Sequence, residues 1–218
     1  MDNGTSNQSR IGTYGFIKHP PHFFGGVVNN TKEGMVDFGF LMEQVILRLT
    51  KRGLGTVWLG GTYHRSDFDV EVASDEILAA VSPVGYPAER SMRERVIRKV
   101  AKGDTRKPFD ELFFQNRELS NIEEDHKYLS YLEAIQVGPS ASNKQPWRVV
   151  VIGDTFYLYL ARTPNYGTVL KFDIQAIDMG IALSHLYLSL QEDGYNPQFE
   201  FDNPQLPLDW EYIVSVSV

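Results

Sequence analysis

A loop of small and polar residues, 138–148 (GPSASNKQPWR), has the residue types best suited to binding a flat ligand. Its neutral hydrogen-bonding side chains are those of Ser140, Ser142, Asn143 and Gln145. The small residues between them allow the backbone to approach a ligand closely, and Trp147 would anchor the strand that follows. The pattern favours a planar heterocycle with several carbonyl groups and ring nitrogens. A plain helix-to-strand connection is the alternative interpretation.

Several other classes of site are excluded by the sequence. There is no cysteine, which rules out disulfides, thiolate nucleophiles and zinc–thiolate sites. The five histidines lack metal-binding spacing, and neither a P-loop nor a G-x-S-x-G motif occurs. Gly53-x-Gly55 is not a dinucleotide-binding motif, because Trp58 stands at the third glycine position. We therefore expect no metal site.

Apolar patterning predicts the elements that position the loop. Helices are expected over 35–52, 90–102, 127–137 and 173–192, with a short helical stretch over 108–114. Strands are expected over 14–17, 23–28, 56–59, 77–84, 147–152 and 156–161, and in the tail YIVSVSV. The polar residues 116–126 are the best candidate for a linker. The helices over 35–52 and 173–192 are apolar on nearly all sides, which predicts that both are buried.

These two helices open with matching sequences, 37–40 (DFGF) and 178–181 (DMGI). The offset is 141 residues, and a glycine follows each aspartate sixteen residues on, at Gly53 and Gly194. A pair of predicted strands precedes each copy. Two copies are expected when one polypeptide imitates a two-fold dimer, with its two apolar helices packed together. A chance similarity is the alternative.

The 138–148 loop closely resembles the flavin-binding loop of the nitroreductase family, whose pattern is roughly A-P-S-x-x-N-x-Q-P-W. Residues 53–61 (GLGTVWLGG) are similar to the family segment in which a buried helix ends and a strand brings backbone to the flavin ring. Residues 83–87 (PVGYP) and 106–108 (RKP) resemble its closing strand and its basic, phosphate-contacting segment. The similarity extends from about residue 14 to about residue 194 and is greatest for a single-chain, internally duplicated subgroup.

The resemblance implies an α+β, nitroreductase-like fold with antiparallel-rich mixed sheets around two buried central helices. It also implies two related halves, 1–120 and 121–218, the first of them truncated at its start. The halves would hold one FMN in one cleft. A monomer is expected, because the duplication would imitate the dimer of the family.

The same resemblance implies which residues bind FMN. The set is Gly60, Gly61, Arg106, Lys107, Pro139, Ser140, Ala141, Asn143 and Gln145. The glycines would offer backbone N–H groups, the loop would line the ring and ribityl chain, and Arg106 with Lys107 would meet the phosphate. No catalytic side chain is implied, because the flavin itself would pass electrons from NAD(P)H to a nitroaromatic, quinone or similar acceptor.

One departure from the family leaves an alternative function open. Nitroreductases usually begin with a helix bearing an Arg-Arg-Ser-like motif that holds the FMN phosphate. No such motif precedes Tyr14, and Ser9-Arg10 is a poor substitute. The alternative is a non-catalytic relative, a scaffold or flavin-holding module with weak or lost flavin binding. Another flavin chemistry on the same fold is a third candidate.

Composition and charge limit the kinds of molecule that the protein is expected to bind. The 218 residues carry a net charge of −7, with a pI of about 5.2, which argues against a general nucleic-acid-binding protein. No apolar run approaches the roughly 18 residues that span a bilayer. The first ten residues contain no apolar signal-peptide region. We therefore expect a soluble, cytoplasmic protein whose partners are small molecules rather than nucleic acid or membrane.

Overall fold

The computed structural model describes residues 20–61, 63–87, 103–207 and 209–218. The strand predicted over 14–17 and the helix predicted over 90–102 lie outside the described residues. The helices are α1 (Lys32–Lys51), α2 (Phe109–Leu112), α3 (Leu129–Gln136) and α4 (Ile174–Glu192). The strands are β1 (His22–Asn29), β2 (Gly55–Thr56), β3 (Glu76–Gly85), β4 (Phe113–Gln115), β5 (Ser120–Asn121), β6 (Trp147–Ile152), β7 (Thr155–Leu160), β8 (Gln198–Glu200) and β9 (Glu211–Ser217).

The strands form two sheets. The smaller sheet has the order β1-β3-β2 and is antiparallel. The larger sheet has the order β5-β4-β6-β7-β9-β8 and is antiparallel except for the parallel pair β4–β6. The tight β6–β7 turn falls at Gly153, whose φ of +61° suits a glycine. The predicted α+β class is confirmed.

Helices α1 and α4 are in direct backbone contact where Gly39 faces Gly180. A Cβ atom added to Gly180 would lie 2.0 Å from the carbonyl oxygen of Val36, and one added to Gly39 would lie 2.2 Å from that of Ile177. Real Cβ atoms essentially never come so close to other heavy atoms. Only glycine at both positions therefore permits this helix separation.

The two long helices differ in burial. Helix α4 buries most of its residues, and α3 packs against it. Helix α1 leaves Leu41 62% and Val45 40% exposed, so the prediction that this helix is buried rather than half-exposed is wrong. The reason is that no helix among the described residues packs on this face of α1. None of the helices within the described ranges is long and apolar enough to cross a bilayer.

The main core lies between the larger sheet and helices α1, α3 and α4. Its largest fully buried side chains include Trp147, Phe156, Leu132 and Met179. Trp147 opens β6, as the sequence predicts for an anchor of the strand after the loop. The loop is therefore fixed at one end by α3 and at the other by a buried indole ring.

The segment between the predicted halves differs from its prediction. The helical stretch expected over 108–114 ends at Leu112, because Phe113 begins β4 and pairs with Val149 of β6. Phe113 is fully buried there, so tertiary packing overrides the helical pattern. The predicted linker, 116–126, includes β5, which pairs with β4. Residues on both sides of the predicted boundary, Ser120 and Asn121, belong to this strand, and the division into two halves stays a prediction.

The contact between α1 and α4 predicts a large cost for adding one methyl group. Gly180→Ala should lower the free energy of unfolding by about 3 kcal/mol, because the backbones must separate to admit it. Gly153→Ala is the matched control: its Cβ meets nothing within 4 Å, so only backbone strain of about 1 kcal/mol applies. Urea denaturation measures both variants. Equal losses for the two would contradict the close-contact interpretation.

Candidate functional site

A cavity of about 400 Å³ lies between the two segments that the sequence predicts to bind a ligand. One wall is 58–61, the segment that follows β2. The facing wall is 139–142, the loop after α3, and the first two turns of α4 form the floor. The segment 166–170, apart from Thr168, and Ala80 of β3 complete the lining. This volume falls within the range typical of small-molecule sites.

The 139–145 loop is held in an unusual backbone conformation. Ser142, Asn143 and Gln145 have φ values of +47°, +54° and +47°, in the left-handed region that non-glycine residues rarely adopt. The side chain of Ser140 stabilises this backbone conformation, since its Oγ accepts a hydrogen bond from the Gln145 amide at 2.9 Å. Strained backbone of this kind persists where surrounding contacts determine it, and it is often found at functional sites.

The opposite wall carries two backbone amides that are not used in the smaller sheet. Leu59 exchanges backbone hydrogen bonds with Val81 of β3, at 2.9 and 3.0 Å, which fixes the wall to the smaller sheet. The next two residues, Gly60 and Gly61, leave that pairing. Among the described ranges, neither of their amide N–H groups has a hydrogen-bond partner. A ligand with acceptor atoms could use both groups.

Residues 166–170 cover one side of the cavity. The Tyr166 hydroxyl donates to Ser142 Oγ at 2.9 Å, which joins this cover to the 139–145 loop. On the other side, a Cβ added to Gly61 would lie 2.9 Å from Leu170 Cδ2. The cover therefore reaches both walls, and it would limit access of water to an occupant.

Asp178, in the second turn of α4, is a buried carboxyl group on the cavity lining. Its Oδ1 accepts a hydrogen bond from the Ala141 amide at 2.9 Å, so it fixes the loop to the helix. Its Oδ2 is buried with no partner among the described residues. Burial raises the pKa of Asp178 to about 8, and the nearby Asp173 carboxylate adds to this effect. At neutral pH the group is therefore mostly a neutral acid able to donate a hydrogen bond.

The predicted ligand-binding residues fall into two groups. Gly60, Gly61, Pro139, Ser140 and Ala141 line the cavity together. The other predicted residues do not line it, and each has contacts within the fold.

Asn143 and Gln145 hold the loop to the preceding segment. Asn143 Nδ2 donates to the Thr105 carbonyl at 2.9 Å, and Gln145 Oε1 accepts from the Lys107 amide at 2.8 Å. The Arg106 guanidinium donates to three backbone carbonyls, including that of Val137 at the end of α3 at 2.8 Å. The side chains of Asn143, Gln145 and Arg106 therefore hold the loop in place through contacts outside the cavity lining.

A second buried carboxylate, Glu43 of α1, holds the other wall. Its Oε2 accepts a hydrogen bond from Trp58 Nε1 at 2.8 Å, and its Oε1 lies 3.0 Å from His185 Nε2 of α4. Trp58 lines the cavity and meets Phe38 edge-on. Glu43 thus connects both long helices to the 58–61 wall, and His185 has a partner within the fold.

Sequence reasoning missed Asp178, Tyr166 and Glu43 as parts of the site. Asp178 was identified only as a member of the repeated Asp-x-Gly motif. The motif could have indicated a role for this aspartate, because a carboxylate inside an apolar helix needs a polar partner. Tyr166 lies in an irregular segment, for which periodicity predicts nothing.

Asp178 predicts a specific pH dependence of stability. Between its unfolded pKa, about 4, and its folded pKa of about 8, the unfolded chain releases the proton while the folded chain keeps it. The contribution of Asp178 is therefore full at acid pH and is lost as pH rises. Asp178→Asn, which retains an oxygen acceptor for Ala141, should lessen this decline by up to about 1.4 kcal/mol per pH unit.

Urea denaturation at several pH values between about 5 and 8 measures the slope. Asp69→Asn, at an exposed carboxylate, is the control and should keep the wild-type slope. An unchanged slope in Asp178→Asn would contradict a protonated carboxyl group at this position.

The buried contacts of Glu43 predict that two substitutions at this position differ in their effect on the free energy of unfolding. Glu43→Ala leaves the Trp58 and His185 nitrogens without their buried partner and should cost about 3 kcal/mol of unfolding free energy. Glu43→Gln keeps an oxygen acceptor for Trp58 and should cost less. Glu33→Ala, at an exposed position on the same helix, serves as control. Denaturant unfolding tests the order, and equal effects of the Ala and Gln variants would show that the hydrogen bonds contribute little.

Comparisons with known proteins show the family and the fold of the chain. A family model described as "Putative TM nitroreductase" matches residues 1–190. A crystal structure titled as a putative nitroreductase from Thermotoga maritima is similar in fold, with a TM-score of 0.60 and 21% identity. The match covers 90% of this chain and 70% of that one. No curated protein matches the sequence. Since the family model covers most of its length, the chain belongs to this nitroreductase family.

Proposed function

We propose that the protein binds FMN in the cavity and uses it to pass electrons from NAD(P)H to a nitroaromatic, quinone or similar acceptor. The family and the structural neighbour suggest oxidoreductase activity. The observation that carries the cofactor assignment is the position of the Gly60 and Gly61 amides. Both lack partners among the described residues, and they line the same cavity as the 139–142 loop.

The residues present fit a flavin ring. The walls include apolar side chains such as Leu59 and Ile174, which suit the faces of a planar aromatic system. The two glycine amides and the protonated Asp178 carboxyl group are donors, as carbonyl oxygens and ring nitrogens require. At Gly60 a Cβ would already lie 3.4 Å from Ile174 Cδ1, so a larger residue would occupy ligand space.

The chain's own residues bind the flavin, orient it and enclose it. The glycine wall and the 139–142 loop fix the plane of the ring, and Asp178 holds the loop through Ala141. The cover over 166–170 excludes water from one side. When bound, FMN supplies the hydride chemistry, so no side chain is required as a nucleophile.

The duplication and the two halves, 1–120 and 121–218, belong to this proposal. The close backbone contacts support it, because Gly39 approaches Ile177 and Gly180 approaches Val36. Residue 39 lies 141 positions before residue 180, and residue 36 lies 141 positions before residue 177. The offset that defines the repeat therefore converts one contact into the other, as two-fold symmetry requires. One wall of the cavity comes from each half, which supports a single cleft. The monomeric state and the cytoplasmic location remain predictions from the sequence.

The non-catalytic alternative is not favoured by the family assignment. A direct experiment separates the two functions. Purified protein is titrated with FMN while flavin fluorescence is followed, and the complex is then mixed with NADPH or NADH without oxygen. Saturable binding followed by bleaching of the yellow colour supports the proposal. Binding without reduction by either nucleotide supports the flavin-holding alternative, and the absence of binding overturns the FMN assignment.

A substitution in the glycine wall provides a site-specific prediction. Gly60→Val should raise the dissociation constant of FMN at least tenfold, because its methyl groups extend into the cavity beside Ile174. Gly55→Val is the matched control, since its Cβ also has a nearest contact of 3.4 Å but faces Pro87 outside the cavity. Fluorescence titration measures affinity, and thermal unfolding of the flavin-free proteins measures any general damage. Equal affinities in the two variants would contradict the proposed position of the ring.

A further inference from the structure

We infer that the phosphate of the bound flavin nucleotide is held by Lys144, supported by Lys107, and not by Arg106. This inference rests on the proposed function and concerns the part of the ligand that extends beyond the cavity. It follows from the contacts of Arg106, from the hydrogen bonds of the loop amides, and from the positions of the nearby cationic side chains.

Arg106 is committed to the fold. Its guanidinium donates to the carbonyls of Gly103 at 3.1 Å, Thr105 at 2.9 Å and Val137 at 2.8 Å. The last of these ties residues 103–106 to the carboxyl end of α3, where a cation is favourable. Turning the side chain toward a ligand would break all three bonds.

Three amides at the end of the loop are not available to an anion. The Asn143 amide donates to the Ser140 carbonyl at 2.9 Å, and the Lys144 amide donates to the Ala141 carbonyl at 3.2 Å. The Gln145 amide donates to Ser140 Oγ. These three successive amides are therefore used within the loop, and a phosphate beside them must be met by side chains.

Lys144 lies at the edge of the cavity. Its Nζ is 5.2 Å from the ring centroid of Tyr166, which lines the cavity. Among the described residues, no carboxylate lies within 4 Å of this ammonium group. The loop therefore carries a cation beside Tyr166 of the cavity lining, with no ion pair to a described residue that must be broken to bind an anion.

Lys107 and Arg148 extend the same positive region. Lys107 is joined to the loop through its amide, which donates to Gln145 Oε1, and Arg148 donates to the carbonyls of Gln145 and Trp147. Burial, Arg148 and Lys144 lower the pKa of Lys107, and Glu111 only partly opposes them. Three cationic residues, Lys107, Arg148 and Lys144, thus interact here with one nearby carboxylate, Glu111, in a chain whose net charge is −7. A phosphate dianion would relieve this repulsion.

Comparison of FMN with riboflavin tests the inference, because the two differ only by the phosphate. Wild-type protein should bind FMN more tightly than riboflavin. Lys144→Gln should raise the dissociation constant of FMN about tenfold and leave that of riboflavin unchanged. Lys107→Gln should have a smaller effect with the same selectivity. Lys51→Gln, at an exposed position at the end of α1, is the matched control and should change neither.

Arg106→Gln gives the contrasting result. It should lower the thermal stability of the flavin-free protein and weaken both flavins by the same factor, because it disturbs the loop. Equal binding of both flavins by the wild type, or an equal loss of both in Lys144→Gln, would overturn the inference while the proposed function stands. If the wild type binds neither flavin, the proposed function fails, and the inference fails with it.

Discussion

The arrangement of the molecule depends on the contact between the backbones of α1 and α4. At Gly39 and Gly180 the two helices approach so closely that neither position has room for a Cβ atom. The 58–61 wall follows α1, whereas the floor and the 139–142 wall are fixed to α4. The helix separation therefore sets the width of the cavity. A flat ligand needs walls a few ångströms apart, and a tight contact without side chains holds such a width constant.

Each long helix also carries one buried carboxyl group that holds one wall. Asp178 of α4 accepts from the Ala141 amide, and Glu43 of α1 accepts from the Trp58 indole. Both groups lie in apolar surroundings, where an unsatisfied polar atom is costly. That cost favours keeping the two hydrogen bonds, which fix each wall to its helix. The helices thus determine both the separation of the walls and their orientation.

Sequence reasoning could predict the walls because their residue types are rare in combination. Gly60, Gly61 and the Pro-Ser-Ala segment lie in short motifs next to strong apolar patterns, and the structure places them on one cavity. Arg106 shows where such reasoning stops. A guanidinium suits a phosphate, but it also suits the carboxyl end of a helix, and residue type alone does not distinguish these uses. The burial of α1 could not be predicted either, because an apolar helix face does not reveal whether another element covers it.

The helix contact also has a consequence for how the site can change. In a two-fold homodimer any substitution appears twice, so both sides of an interface must tolerate it. Here Gly39 and Gly180 are encoded separately, as are the aspartates that precede them at 37 and 178. The two aspartates already differ in their surroundings: Asp178 is fully buried on the cavity floor, whereas Asp37 remains exposed. A single polypeptide can therefore change one of the two positions without changing the other.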